Sequence, residues 1–145
     1  MTINNSFLTA TRFSITFDDA ELRKVEMAIL DWPHPAVTRP AARAPSRNQD
    51  VPYPGSRYQY EDLQIRVQLD SAMDNYWTLY NWLLSGAEKD VILTAYSSND
   101  KAASQVRYEG AFVESLGGFN FTATDQGDEI VSITVTIKYT RFDRV

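Results

Sequence analysis

Apolar and polar residues alternate strictly in two stretches of this chain. Leu63, Ile65, Val67 and Leu69 are separated by Gln64, Arg66 and Gln68, and Val131, Ile133, Val135, Ile137 and Tyr139 by Ser132, Thr134, Thr136 and Lys138. A period of two puts one set of side chains on a buried face and the other in water, so each stretch predicts a half-buried strand. The second is regular enough for a central or interface position. The same period in Phe13, Ile15 and Phe17, and again in Val25, Met27 and Ile29 after Asp18-Asp19, predicts an N-terminal hairpin. Further strands are expected at Val91 to Tyr96, Val106 to Val113 and Phe119 to Thr124, with a polar turn at Ser97 to Ala103, a corner at Gly117-Gly118 and a turn at Asp125 to Asp128.

One segment changes period. After Asp70 or Ser71, either of which can cap a helix, Asp74 suits the positive end of the helix dipole and Gly86 supplies a stop. Met73, Tyr76, Trp77, Tyr80 and Leu84 recur at three- and four-residue steps, an apolar stripe predicted to pack on the sheet, with Asn75, Thr78 and Asn81 on the wetter side. Roughly seven strands and one helix predict a mostly β (α+β) domain, an antiparallel barrel or sandwich with one flanking α-helix.

Between these patterned regions lies a long arm at about residues 32–56. It carries all six prolines of the chain together with Arg39, Arg43 and Arg47. Pro40 and Pro45 interrupt the four-residue arginine spacing, so a helix is excluded and an extended arm without regular structure is expected. Val51-Pro52-Tyr53-Pro54-Gly55 is stiff and apolar, and interleaved Arg and Tyr are residues that interfaces favour.

Composition narrows the function more than it suggests one. The chain of 145 residues fits a single domain, 1–145, and its hydrophobic fraction of 43% is enough for a core. The formal charge is −5 with scattered basic residues, which leaves no footprint for nucleic-acid binding. There is no cysteine, and Met1 to Leu8 has neither the basic nor the apolar region of a signal peptide, so a soluble, unexported chain is expected. The single histidine, His34, lies between Pro33 and Pro35 with no nucleophile nearby in sequence, and one histidine without cysteine makes a poor metal site. Asp18-Asp19, Glu61-Asp62 and Asp128-Glu129 fall at strand edges and turns, where local hydrogen bonding accounts for them. No glycine-rich loop opens a helix. The expectation is no enzyme, no metal and no cofactor.

The order of these features is similar to a known family. The run Pro52-Tyr53-Pro54-Gly55-Ser56-Arg57-Tyr58-Gln59-Tyr60-Glu61-Asp62-Leu63, its continuation through Asp70, and then Asn75-Tyr76-Trp77 and Tyr80-Asn81-Trp82-Leu83 resemble the tail-tube superfamily of contractile phages. Arg107-Tyr108-Glu109-Gly110-Ala111-Phe112, Leu116-Gly117-Gly118-Phe119-Asn120-Phe121 and Glu129 to Thr136 resemble its closing strands. Within that superfamily the block from Tyr58 to Tyr96 looks most like the tail terminator, or tail completion, branch of T4-like phages. The middle of the arm, Ala36 to Asn48, does not align with family members.

The resemblance implies a structural virion protein that is made in the host cytoplasm and forms a homo-hexameric ring around the DNA channel. As a terminator it would sit at the head-proximal end of the tail tube, against the adjacent tube ring, neck or connector proteins and a sheath. DNA would pass without specific binding, and no membrane is involved. It further implies that the arm touches a neighbour, with Arg39, Arg43, Arg47, Tyr53 and Arg57 as interface candidates and the helix outside the barrel. A tube protomer or baseplate initiator ring remains an alternative, as does a monomeric β-sandwich binding module.

Overall fold

The computed structural model describes residues 8–45, 48–97, 102–121 and 130–145. Seven antiparallel strands form its main sheet: β1 (Leu8–Phe17), β2 (Ile29–Asp31), β7 (Leu63–Gln68), β8 (Lys89–Ser97), β9 (Ala102–Leu116), β10 (Ser132–Lys138) and β11 (Arg141–Arg144). The spatial order is β1-β8-β9-β10-β7-β2, with β11 also on β9. The two strictly alternating stretches are β7 and β10, and they are direct neighbours. Ile133 faces Val67, Val135 faces Ile65 and Ile137 faces Leu63. All six side chains are buried, each contributing about 1.5–3 kcal/mol of burial. β10 lies between β7 and β9, the central position that its regularity implies.

The sheet curls because β9 serves two partners along one edge. Val106 to Glu109 pair with β11, and Phe112 to Leu116 pair with β10. The switch falls at Gly110, where φ is +66° and a Cβ would lie 2.9 Å from Thr140 Oγ1. Only glycine takes that turn without strain. Tyr108, Ala111 and Val113 point from β9 into the core.

Three expectations are corrected. The N-terminal hairpin does not form: β1 pairs with β8, and Val25 and Met27 lie in a short helix, α1 (Arg23–Met27), preceded by a 3-10 turn at Ala20–Leu22. Asp19 caps that turn by accepting from the Glu21 amide. Leu22 and Val25 are buried one helical turn apart whereas Met27 is 89% exposed, so the apparent alternation at 25, 27 and 29 was helical spacing sampled every second residue. The described residues therefore hold two α-helices, not one. The expected strand at Phe119 to Thr124 is absent over its described part, residues 119–121, and its remainder lies outside the described residues, as does the turn at Asp125 to Asp128.

The arm is more regular than its prolines suggest. β3 (Val37–Thr38) pairs with β6 (Gln59–Tyr60), and β4 (Ala41–Pro45) pairs with β5 (Asp50–Pro54) as a two-stranded ribbon. The Gly55 amide donates to the Pro40 carbonyl at 3.1 Å, which makes that pair hydrogen-bonded. Alternation then makes Ala42 with Tyr53 and Ala44 with Val51 the bonded pairs further along. Pro45, Pro52 and Pro54 fall at the intervening positions, where an amide would point outward and its loss costs the ladder nothing.

Candidate assembly interface

The helix α2 (Asp74–Ser85) presents a different face to the sheet from the expected one. Asn75, Leu79 and Trp82 are buried, at the i, i+4, i+7 spacing of one face, and Trp82 meets Phe17 edge-on at 5.7 Å. Of the predicted stripe only Met73 and Tyr76 touch the core. Trp77 is 52% exposed, Leu84 65%, and Tyr80 is also exposed, so these three are not packing residues. Asn75, expected in water, is fully buried: it donates to the Gln68 carbonyl and its side-chain oxygen accepts from the Asp70 and Tyr76 amides. Asp70 does act at the helix start by accepting from the Asp74 amide at 2.8 Å, and Gly86 closes the helix with φ +64°. The exposed side carries an edge-to-face aromatic series, Tyr76 to Trp77 at 5.3 Å and Trp77 to Tyr80 at 5.5 Å.

The arm is rooted in an aromatic cluster drawn from distant parts of the chain. Tyr108 of β9 is fully buried, with Trp32 at 5.7 Å, Tyr139 at 5.5 Å and Phe142 at 6.0 Å between ring centroids. Phe142 in turn meets His34 at 4.5 Å and Tyr60 at 5.1 Å. Trp32 Nε1 donates to Tyr108 Oη at 3.2 Å, and His34 Nδ1 lies 2.7 Å from the same oxygen. Tyr139 Oη donates to the Glu61 carbonyl at 2.8 Å, which ties the returning end of the arm to the end of β10. Burial pushes the Tyr108 hydroxyl up to about 12, partly opposed by the Trp32 bond. It does the same at Tyr139, helped by Tyr108, Tyr60 and the acids Asp62 and Glu61. Burial lowers His34 below its ordinary value of 6.5.

Beyond this root, the structure separates the proposed interface residues. Arg39 is held within the arm: its Nε donates to the Gly55 carbonyl and its guanidinium lies 5.1 Å from the Tyr58 ring, so it fastens the neck of the ribbon. Arg43 lies on one ribbon face with Pro45, Pro52 and Pro54; Tyr53 lies on the other with Ala42, Ala44 and Val51. All of β4 and β5 except Ala42 is exposed, including Val51 and Tyr53. Arg57 is exposed, and Arg47 lies outside the described residues.

The outward face of β7 and β10 is polar. Gln64, Arg66 and Gln68 stand opposite Thr136, Thr134 and Ser132. Arg66 is paired with Asp31 at 3.1 Å, and Lys138 lies between Glu114 at 3.5 Å and Asp62 at 3.7 Å. Each cation on this face is thus matched by carboxylates. Among the described residues no three histidine or acidic side chains converge as a metal site, and no helix is long and apolar enough to cross a membrane.

No protein-family model and no curated protein sequence matches the chain. Solved structures do. The sheath/tube terminator of the PVC extracellular contractile injection system superposes with a TM-score of 0.78 at 16% identity, covering 99% of both chains. The chain has the contractile tail-tube fold. A chain of the PVC sheath-tube complex matches at TM-score 0.74 and 15% identity over 98% of this chain and 95% of that one. The tube-terminating cap of the anti-feeding prophage matches at 0.69 and 14%, over 100% and 94%.

Sequence reasoning missed the root cluster. Trp32, His34, Tyr60, Tyr108, Tyr139 and Phe142 are spread over 110 positions (142 − 32), and only the strand pairing brings them together. The one signal was compositional: aromatic residues stand on both sides of the proline-rich arm.

Proposed function

We propose that the whole chain acts as one ring-forming structural subunit of a contractile tail or injection apparatus, without catalytic activity, and that it is the terminator of the tube. The observation that carries this reading is the likeness to a sheath/tube terminator over nearly the full length of both chains. Six copies would close a ring, as the sequence resemblance implies. Closure gives the exposed edge of β1 a regulated partner, since a long open edge otherwise invites uncontrolled pairing. The polar face of β7 and β10 suits a channel wall. Its amides, hydroxyls and internally matched ion pairs would let a polyanion such as DNA pass without adhering. The ribbon β4–β5, with Arg43 and Tyr53 on opposite faces and Arg57 following it in sequence, is the contact element toward a neighbouring subunit or ring, and Arg47, outside the described residues, stays an interface candidate on the sequence alone. Sheath, neck and adjacent tube proteins are the partners this position implies, in a virion or particle assembled from cytoplasmic subunits.

A tube protomer is the second reading, favoured by the match to the sheath-tube complex at nearly the same TM-score. The two differ in polymerisation. A protomer offers complementary top and bottom faces and stacks without end, while a terminator keeps one such face and stops. Purified protein at high concentration is therefore expected to give hexameric rings or ring pairs by native mass spectrometry and negative-stain microscopy. Extended tubes of constant width would transfer the assignment to the protomer, and a monomer at every concentration would remove the ring reading altogether.

A further inference from the structure

The chain's only histidine sits where hydrogen bonding admits one protonation state. Trp32 Nε1 can only donate, so Tyr108 Oη accepts from it. The Tyr108 hydroxyl has a single proton to give, and His34 Nδ1 is 2.7 Å away. The set is complete when Tyr108 donates to an unprotonated Nδ1, which assigns the neutral ring with its proton on Nε2. Protonating Nδ1 aims two N–H donors at one oxygen and turns the hydroxyl proton of a fully buried tyrosine away from its acceptor. An unpaired buried donor carries its full desolvation penalty.

His34 is exposed to solvent, so what protonation costs is the bond to Tyr108 and the contacts on the cluster side of the ring rather than full burial of a charge. Pro33 and Pro35 flank His34 in sequence, and Phe142 of β11 meets its ring edge-on at 4.5 Å. Tyr108 and Tyr139, both pushed up to about 12, are uncharged near neutral pH. The nearby charges are already engaged: Asp31 of β2 with Arg66, and Glu109 of β9 and Asp143 of β11 with Arg141. Glu61 and Asp62, at the returning end of the arm, lie toward Tyr139. Both ends of the arm pass through this cluster, since the Glu61 amide donates to the Ala36 carbonyl at 3.0 Å where β3 begins and β6 ends.

We propose that His34 is a proton-sensitive latch: in its neutral form it docks the root of the arm onto Tyr108, and on protonation it releases the root and lets the β3–β6 neck and the ribbon beyond it reorient. Burial lowers the docked ring's proton affinity, so docking is complete above the ordinary histidine value of 6.5 and is lost as pH falls through the lowered one. The latch concerns how the arm is held, and it stands whether or not the arm meets a neighbouring subunit.

Because there is one histidine, its ring C–H signals in a proton NMR titration report this site alone. The expected midpoint lies below 6.5. Hydrogen exchange, corrected for the intrinsic pH dependence, should show several-fold weaker protection at residues 36–38 and 59–61 at pH 5 than at pH 7.5, with β7 and β10 unchanged. His34→Gln, which can still accept from Tyr108 but does not titrate, should protect the root equally at both pH values. A midpoint at or above 6.5, equal protection of the wild-type root at both pH values, a pH dependence that persists in His34→Gln, or parallel loss of protection in β7 and β10 would overturn the latch. Should His34→Gln fail to fold, the wild-type titration and exchange still decide.

Discussion

The two ends of the arm are built on opposite principles. At its root, Trp32 and His34 of the arm, Tyr139 just after β10 and Phe142 of β11 close around Tyr108 of β9, whose hydroxyl has two partners and whose ring meets these four. At its tip, β4 and β5 pair only with each other, and Val51 and Tyr53 stay in solvent. A lone two-stranded ribbon is marginally stable in water. The root is therefore a finished piece of core, whereas the tip leaves apolar and charged side chains in solvent. Under the proposed assembly the bare ribbon is a reach toward a neighbour, and the contrast with the root makes that testable.

The sharpest way to break the comparison is at Tyr108. Tyr108→Ala empties the centre of the cluster and leaves Trp32 Nε1 without its acceptor, so a loss of about 3–5 kcal/mol in chemical denaturation is expected. A loss below about 1 kcal/mol would mean that the root is a surface cluster rather than core.

The same contrast between a filled and an open side runs along α2, where it also tests the helix register. Asn75→Ala leaves the Gln68 carbonyl and the Asp70 amide without their partner, so a loss of about 1–3 kcal/mol is expected. Trp77→Ala, on the open side, should cost under about 1 kcal/mol. Paired urea melts measure both, and the reverse order would restore the stripe of Met73, Tyr76, Trp77, Tyr80 and Leu84 as the packing face.

These residues also mark how far the sequence could be read. β7 and β10 were legible because each buries one face, and a period of two survives any neighbour. The curled sheet followed from them. In α2 two spacings competed, Met73-Tyr76-Trp77-Tyr80-Leu84 and Asn75-Leu79-Trp82, and aromatic bulk favoured the first. What decided for the second was Asn75, whose value lies in satisfying backbone groups at the β7–α2 junction, a role that hydrophobic pattern does not record. The ribbon was hidden for a different reason. Proline forbids a strand only where an amide is needed, and register, which sets where that is, comes from pairing. Arg39, read as an interface candidate, also clamps Gly55 and Tyr58, a role the sequence hides because these partners lie across the neck and not beside it in the chain.

The smallest effect on stability is expected at the tip, and there it carries the most information about function. Arg43→Ala and Tyr53→Ala remove exposed side chains from opposite faces of the ribbon, so each should shift unfolding by no more than about 0.5 kcal/mol. If the ribbon is a reach, ring formation by native mass spectrometry should weaken although circular dichroism and melting stay as in the unaltered chain. Because the two residues face apart, the pair also reports which side is used. A defect from Tyr53→Ala alone would assign the contact to the apolar face of Ala42, Ala44 and Val51, and a defect from Arg43→Ala alone would assign it to the proline face, where a salt-sensitive loss is expected for a charged contact at a rim. Normal rings and normal ring stacking from the double variant would sink the contact role of the ribbon, while leaving the anchored root to be explained by the stability of the sheet alone.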